Sequence, residues 1–200
     1  MNKNDIYNLM RGGEVERALA ELRKNLAVLS EADSDGVALV HALAAIGSIK
    51  HCVGLLTQPL LELVDRRGWT ALHYAAGSNS VQPLIDLTKK YGNLLHWGDN
   101  VGEIPAHVAA RVGYLKGFPL TAVQLGRTNN LNQTPLHLAA YEMCLDQITP
   151  NFQPALLLYT DVAGRTVLDI AEESGAINQL PRALVIRARL LKAQVVHGDI

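Results

Sequence analysis

A pattern recurs along this 200-residue chain at intervals of 30 to 34 residues, and such recurrence constrains the fold more than any other feature of the sequence. With Gly13, Gly47, Asn79, Gly113, Met143 and Gly175 as register points, an apolar residue follows two positions later in every copy: Val15, Ile49, Val81, Leu115, Leu145 and Ile177. Three residues on stand Ala18, Cys52, Leu84, Phe118, Ile148 and Leu180, and four beyond those Leu22, Leu56, Thr88, Ala122, Phe152 and Leu184. This spacing puts the three positions of each copy on one face of a helix. Six short units, none able to bury such a face alone, must stack to make a core.

A second pattern precedes each register point from the second onward. It is clearest in Asp65-Arg66-Arg67-Gly68-Trp69-Thr70-Ala71-Leu72-His73-Tyr74-Ala75-Ala76, and it returns as Gly36 to Ala44 with His41, as Gly102 to Ala110 with His107, as Asn132 to Ala140 with His137, and as Gly164 to Ala171 with Asp169 in place of the histidine. Glycine supplies the backbone freedom of a tight turn, threonine can cap the following helix, and proline at a first helical position already has the right φ. The Ala-Ala pair keeps the following inner helix thin, so inner helices approach while larger outer residues splay apart. The motif resembles the ankyrin repeat. Thr134-Pro135-Leu136-His137 keeps that family's tetrapeptide intact, and the resemblance runs over about residues 4 to 180.

The resemblance implies an all-α solenoid of helix-turn-helix units in a single domain: a capping unit over 4–30, internal repeats over 33–64, 65–98, 99–128 and 129–160, and a final repeat with a capping helix over 161–200. Asn4 to Arg23 reads as two short helices around Gly12-Gly13. Pro119, Thr149 and Pro181 fall where the earlier copies have Leu19, Val53 and Ile85, so the outer helices of the last three units are expected to be shortened or displaced. Asp146 to Pro154 is the most irregular segment, Lys89 to Gly98 and Leu125 to Asn130 vary between units, and an amphipathic helix is expected from about Pro181 to Val195.

Composition removes several classes of function. Alanine (24) and leucine (32) dominate while aromatics make up only 5%, which disfavours an all-β domain. With 18 basic and 19 acidic residues the formal charge is −1, so the chain as a whole does not attract nucleic acid or anionic membrane. Asp5, Arg11 and Glu14 occupy the stretch where a secretory signal would need its apolar centre, and the early uncharged run from Gly36 to Ile49 is too short to span a bilayer. The expected location is the cytoplasm, or a host cell's cytoplasm for a secreted effector.

Histidines 41, 73, 107 and 137 invite a metal reading, but successive packed helix layers are roughly 8–10 Å apart and zinc ligands sit about 2 Å from one ion. A role in the turn, each imidazole tied to the next repeat, is the preferred reading. Neither metal nor cofactor is expected. Cys52 and Cys144 are 92 residues apart and read as small buried hydrophobes. A cysteine-dependent hydrolase using Cys144 and His137 is the enzymatic rival, weakened by the absence of a nucleophile elbow, a phosphate loop or paired carboxylates; no catalytic residue is assigned. The C-terminal helix carries Arg182, Arg187, Arg189 and Lys192 with no acid before Asp199. It reads as a cap on the last repeat, with a membrane-surface or acidic-partner helix as the alternative.

What remains is the set of positions that the repeat leaves free. In ankyrin-like proteins the turn tips and the exposed side of the inner helices grip partner proteins, and on that basis the candidate partner-binding residues are Arg66, Arg67, Trp69, Tyr74, Asn100, Val101, Glu103, Arg111, Asn130, Leu131, Gln133, Tyr141, Glu142 and Arg165. Trp69 flanked by Arg66 and Arg67 combines residue types enriched in hot spots. The bland alternative is that Trp69 covers a neighbouring turn. The chain is therefore expected to be a non-enzymatic adaptor, monomeric when free, with a bacterial effector that binds a host protein as its narrower form. Changing Arg66, Arg67 and Trp69 together to Ala is expected to weaken binding and leave melting unchanged.

Overall fold

The computed structural model describes residues 1–91, 94–116, 118, 120–148 and 153–197. Among these residues, left-handed backbone occurs at two sets of positions. One set is the six register points, Gly13, Gly47, Asn79, Gly113, Met143 and Gly175; the other is the turn position Gly36, Gly68, Gly102, Asn132 and Gly164. From the second onward, each copy of the repeat is thus bent twice, once at the tip and once between its paired segments, and the first is bent once, at Gly13. At the tip the demand for glycine is also steric: a Cβ on Gly68 would stand 2.7 Å from Asn100 Oδ1 and 2.9 Å from its backbone nitrogen.

The chain divides into two compact units, Met1–Asn100 and Val101–Ile200, a division that no linker or shift of composition announces. Both are all-helical among the described residues, where the only β pairings are the isolated antiparallel bridges Ala32–Ala38 and Thr160–Thr166.

The first unit opens with α1 (Lys3–Arg11) and α2 (Val15–Lys24), paired around Gly12-Gly13. Asn2 and Asp5 cap α1 reciprocally, each side chain accepting the other's backbone N–H at 3.0–3.1 Å. The inner helices α3 (Leu39–Ala45) and α5 (Ala71–Gly77) pack on one another through Ala44, Ala75 and Ala76, all buried. Alanine at these contacts is what lets the two axes approach. α4 (Gln58–Glu62) and α6 (Ile85–Lys90) complete the unit, with single 3₁₀ turns at Leu26–Ser30, Ser48–His51, Val53–Leu55, Gln82–Leu84 and Leu94–His96.

In the second unit the inner helices are α7 (Pro105–Arg111), α9 (Pro135–Tyr141) and α10 (Val167–Ser174), with α8 (Ala122–Leu125) between the first two. α7 packs on α9 and α9 on α10, again through buried alanine pairs, Ala109-Ala110 and Ala139-Ala140. α11 (Arg182–His197) closes the unit by burying Leu184, Val185 and Ala188, and it packs against the 3₁₀ turn Pro154–Leu158.

The outer segments depart from the expected form. Ile49, Val81, Leu115 and Leu145 are buried as the register requires, yet among the described residues continuous α-helix follows the register point only in α2 and, after a 3₁₀ turn, in α6. In the second, fifth and sixth copies the chain makes short 3₁₀ turns instead, and Gly54 and the β-branched Val53 weaken helix in the second copy. In the sixth, Pro181 ends the turn Ala176–Gln179 and α11 starts immediately after it, the displacement expected there. Pro119, Thr149 and much of the irregular 146–154 segment lie outside the described residues.

Candidate functional site

The tips are built from an acceptor that the sequence reading gave no role. Three residues before each turn glycine or asparagine stands Asp or Asn, and at four of the five tips its side-chain Oδ1 takes two backbone N–H groups across the tip. Asp33 accepts from Asp35 and Val37, Asp65 from Arg67 and Trp69, Asn129 from Leu131 and Gln133, and Asp161 from Ala163 and Arg165, all at 2.8–2.9 Å. The signal is legible afterwards: an Asp or Asn at a fixed offset before a left-handed residue is an Asx turn.

Consecutive tips are also joined by backbone. In the first unit Arg66 N donates to Asp35 O at 2.9 Å and Asn100 N to Arg67 O at 3.0 Å; in the second, Asn130 N donates to Val101 O at 2.9 Å and Val162 N to Leu131 O at 3.0 Å. Each of these tip pairs is therefore held by a main-chain bond, to which the first unit adds Asn100 Nδ2 donating to Arg66 O at 2.8 Å and an Arg66–Asp35 ion pair at 3.4 Å.

Behind the tips lie the histidines. Nδ1 of His41, His73, His107 and His137 accepts the N–H of Ala38, Thr70, Ile104 and Thr134 respectively at 3.0–3.1 Å, which fixes the neutral Nε2–H tautomer. His41 Nε2 then donates to Leu63 O at 3.0 Å and His107 Nε2 to Gln133 O at 2.9 Å, tying each turn to the following repeat. The imidazole and not the threonine is the cap: Thr70 and Thr134 hydroxyls donate to the ring nitrogen at 2.9 and 2.8 Å, and Ala38 and Ile104 need no hydroxyl at all. Burial lowers the pKa of His41 and His137, and carbonyls of the next repeat offset this in part.

Asp169 replaces histidine where the next element is α11 instead of another turn. Its Oδ2 accepts Thr166 N at 3.0 Å and Thr166 Oγ1 at 2.7 Å, Thr166 Oγ1 accepts Asp169 N at 3.1 Å, and Oδ1 accepts Lys192 Nζ at 2.5 Å, so threonine and acid cap the helix reciprocally and the acid also anchors the final helix. Burial would raise its pKa, but Lys192 and Thr166 hold it down to about 2.

The candidate residues fall into three groups. In the first unit, Arg67, Trp69 and Tyr74 form one network centred on the Asp65 carboxylate, whose side chain is only 2% exposed. Asp65 Oδ2 accepts Arg67 Nε at 3.1 Å and the Tyr74 hydroxyl at 2.8 Å; Arg67 Nη2 donates to that hydroxyl at 2.9 Å and its guanidinium lies 4.2 Å over the Trp69 ring. Trp69 Nε1 donates to Asp99 Oδ2 at 2.8 Å. Burial works to raise the Asp65 pKa, but the donors from Trp69, Tyr74 and Arg67 outweigh it and leave the carboxyl below its ordinary value. Arg67 and Trp69 thus have packing duties of their own. Their removal with Arg66 will lower the melting point, contrary to the expectation from sequence, because it strips the Asp65 network as well as the surface.

A second group is internal. Glu103, expected on the binding face, is 3% exposed and holds the Arg111 guanidinium and Asn129 Nδ2. The turn that carries it points the Gly+1 side chain inward, and a buried carboxylate needs such partners. Gln133 is half-buried, with its carbonyl committed to His107 and its Oε1 taking Asn129 Nδ2 at 3.3 Å. Arg165 is half-buried and pairs with Asp161 at 2.9 Å, 5.5 Å from the centre of the Tyr141 ring.

The third group is exposed: Arg66, Asn100 and, in the second unit, Val101, Asn130, Leu131, Tyr141 and Glu142. Val101, Leu131 and the adjacent Val162, on three consecutive tips, are 53%, 54% and 64% exposed. Met143 and Tyr114 add further exposed apolar surface to this unit.

Both cysteines are buried and free, and burial pushes each thiol up to about 11. Cys144 Sγ donates to Ala110 O at 3.4 Å, as Ser80 and Ser174 hydroxyls donate to Ala44 O and Ala140 O at 3.1 and 2.9 Å. Among the described residues, no group of three or more His, Cys, Asp or Glu is placed to hold a metal ion, and no helix is long and apolar enough to cross a membrane.

No protein-family profile matches the chain, and no curated protein matches it in sequence. Among solved structures it is similar to a chain in the complex of the Bd0816 predatory endopeptidase from Bdellovibrio bacteriovorus with the immunity protein Bd3460, at a TM-score of 0.63 and 20% identity, over 94% of this chain and 99% of that one. The two chains share a fold. At that identity the likeness extends to architecture and no further.

Proposed function

We propose that the chain is a non-enzymatic protein-interaction module built of ankyrin-like repeats, and that the tips and adjoining inner-helix surface of its second unit bind a partner protein. The observation that carries this reading is the row Val101, Leu131 and Val162: three apolar side chains more than half exposed, standing on tips that a backbone ladder already holds in place. Folding draws little from side chains so exposed, and an ordered apolar row loses little conformational entropy on association. Tyr141 and Glu142 extend the surface along α9. The occurrence of the same fold in a two-protein complex supports the reading. Cys144 is unsuited to nucleophilic catalysis, being buried, engaged to a carbonyl and held as a thiol at neutral pH.

Affinity capture from cell extract, with crosslinking and mass spectrometry, tests the proposal when run beside the variant Val101→Ser/Leu131→Ser/Val162→Ser. The wild type should retain a partner that the variant loses, at unchanged melting temperature. Equal capture by the two forms refutes the tip surface. A native Cys144 that alkylates rapidly, with loss of a hydrolytic activity, refutes the non-enzymatic reading.

A further inference from the structure

The start of α11 and the 3₁₀ turn Ala176–Gln179 enclose an open groove of about 440 Å³ lined by Ile177, Asn178, Leu180, Arg182, Val185, Ile186 and Arg189. The groove and the outer face of α11 beside it combine two chemistries. The first is apolar: Ile186 and Leu190, one helical turn apart, are 57% and 61% exposed, and Ala183 and Ala193 continue the same face at helical spacing. The second is cationic. α11 contains Arg182, Arg187, Arg189 and Lys192 and no acidic residue. Lys192 is committed to Asp169 and Arg189 to Glu172 at 2.7 Å, whereas Arg182 and Arg187 are exposed and make no ion pair among the described residues.

We propose that this groove and the outer face of α11 form a second docking surface, sharing no residue with the tip row, for an acidic amphipathic helix of a partner protein. The charges select the occupant. Two guanidiniums flanking an apolar stripe match carboxylates placed beside leucine-like anchors, and guanidinium and carboxylate pair bidentately. A second copy of the chain would set arginine against arginine across the stripe and is disfavoured. An anionic bilayer calls for a broad apolar face with aromatic residues at its edge, whereas α11 has no Trp, Tyr or Phe and interleaves its arginines with Ile186 and Leu190. A concave groove of this volume takes up side chains, not a flat lipid surface.

The test uses the full chain and a fluorescent synthetic helix with Leu on one face and Glu on the other, beside a control peptide with Lys in place of Glu, read by anisotropy. The Glu peptide should bind and the Lys peptide should not. Arg182→Glu/Arg187→Glu and, separately, Ile186→Asp should each weaken binding about tenfold or more while the melting temperature stays within error, all three residues being exposed. Unchanged affinity in either variant overturns the proposal. So does flotation of the chain with phosphatidylserine vesicles that these variants abolish without any peptide binding, and so does a wild-type dimer in sedimentation that Arg187→Glu dissolves.

Discussion

Asp65 offers the sharpest test of how the tips are held, because the repeat contains its own control. Its Oδ1 accepts the N–H groups of Arg67 and Trp69 at 2.8 Å, and Asn129 does the same for Leu131 and Gln133 at 2.9 Å without a charge. Asp65→Asn keeps both backbone bonds, turns the Tyr74 hydroxyl from donor to acceptor, and loses the Arg67 ion pair, which involves a side chain 58% exposed and is worth less than about 1 kcal/mol. Asp65→Ala loses both backbone bonds, the Tyr74 contact and the ion pair. Hydrogen bonds to a charged acceptor contribute about 1.5–3 kcal/mol each, and water reaching the tip recovers part of that, so a net loss of about 2–3 kcal/mol is expected. With a urea m-value of about 1.5 kcal/mol/M, the midpoint falls by roughly 1.5 M for Ala and about 0.5 M or less for Asn. Trp69 and Trp97 both belong to the first unit, so tryptophan fluorescence reads that unit alone. Equal midpoints for the two variants would refute the argument that backbone capture, and not charge, is what Asp65 supplies.

The buried histidines predict a pH dependence of defined sign. His41 and His137 have folded pKa values below 6.5, chiefly through burial, so the stability they contribute is complete above 6.5 and declines as pH falls from there through the lowered folded values. Urea midpoints measured from pH 7.5 to 5 should fall, and a flat profile would show that the rings protonate without penalty; Asp169, at about 2 when folded against 3.8, adds a separate loss only below about pH 4. Met143 has φ +52° where the matching residues Gly47, Gly113 and Gly175 have none of its steric cost, so Met143→Gly should raise stability by about 0.5–1 kcal/mol. A lower calorimetric melting temperature for that variant would mean that the side chain packs more than its 51% exposure indicates.

Much of the backbone plan was legible in the sequence. Periodicity located all six register points and all five turn positions, each of them left-handed, because a residue with φ > 0 must recur wherever the same bend recurs. The inner helices followed from Ala-Ala pairs and the histidine spacing. The outer segments were misread because an apolar spacing of three and four is compatible with successive 3₁₀ turns as well as with an α-helix, and local residues such as Gly54 decide between them. At the site, exposure was read correctly for Val101, Leu131 and Tyr141 but not for Glu103, whose burial depends on a long-range partner, Arg111, eight residues on, and on Asn129 in the next turn. For Trp69 the sequence leaves two readings open, a binding surface or cover for a neighbouring turn, and its bond to Asp99 thirty residues away, which has no signature in spacing, ties it to that neighbouring turn.

The ladder between tips has a consequence for how such a chain changes over generations. Val162 reaches Leu131 through a main-chain bond, and Arg66 reaches Asp35 through the same bond beside a 3.4 Å ion pair of two exposed side chains, so the backbone bond itself is indifferent to the identity of the side chains on either side. The two middle residues of a tip read Ser34-Asp35, Arg66-Arg67, Asn100-Val101, Asn130-Leu131 and Val162-Ala163, and of these five pairs only the third and fourth are alike. Mutation can rewrite those pairs one at a time while the backbone bonds between tips and the Asx acceptors beneath them stay intact. Except at Arg67, which is tied to Asp65 and Tyr74, selection for a new partner and selection for a folded chain therefore act at these positions on nearly separate sets of atoms.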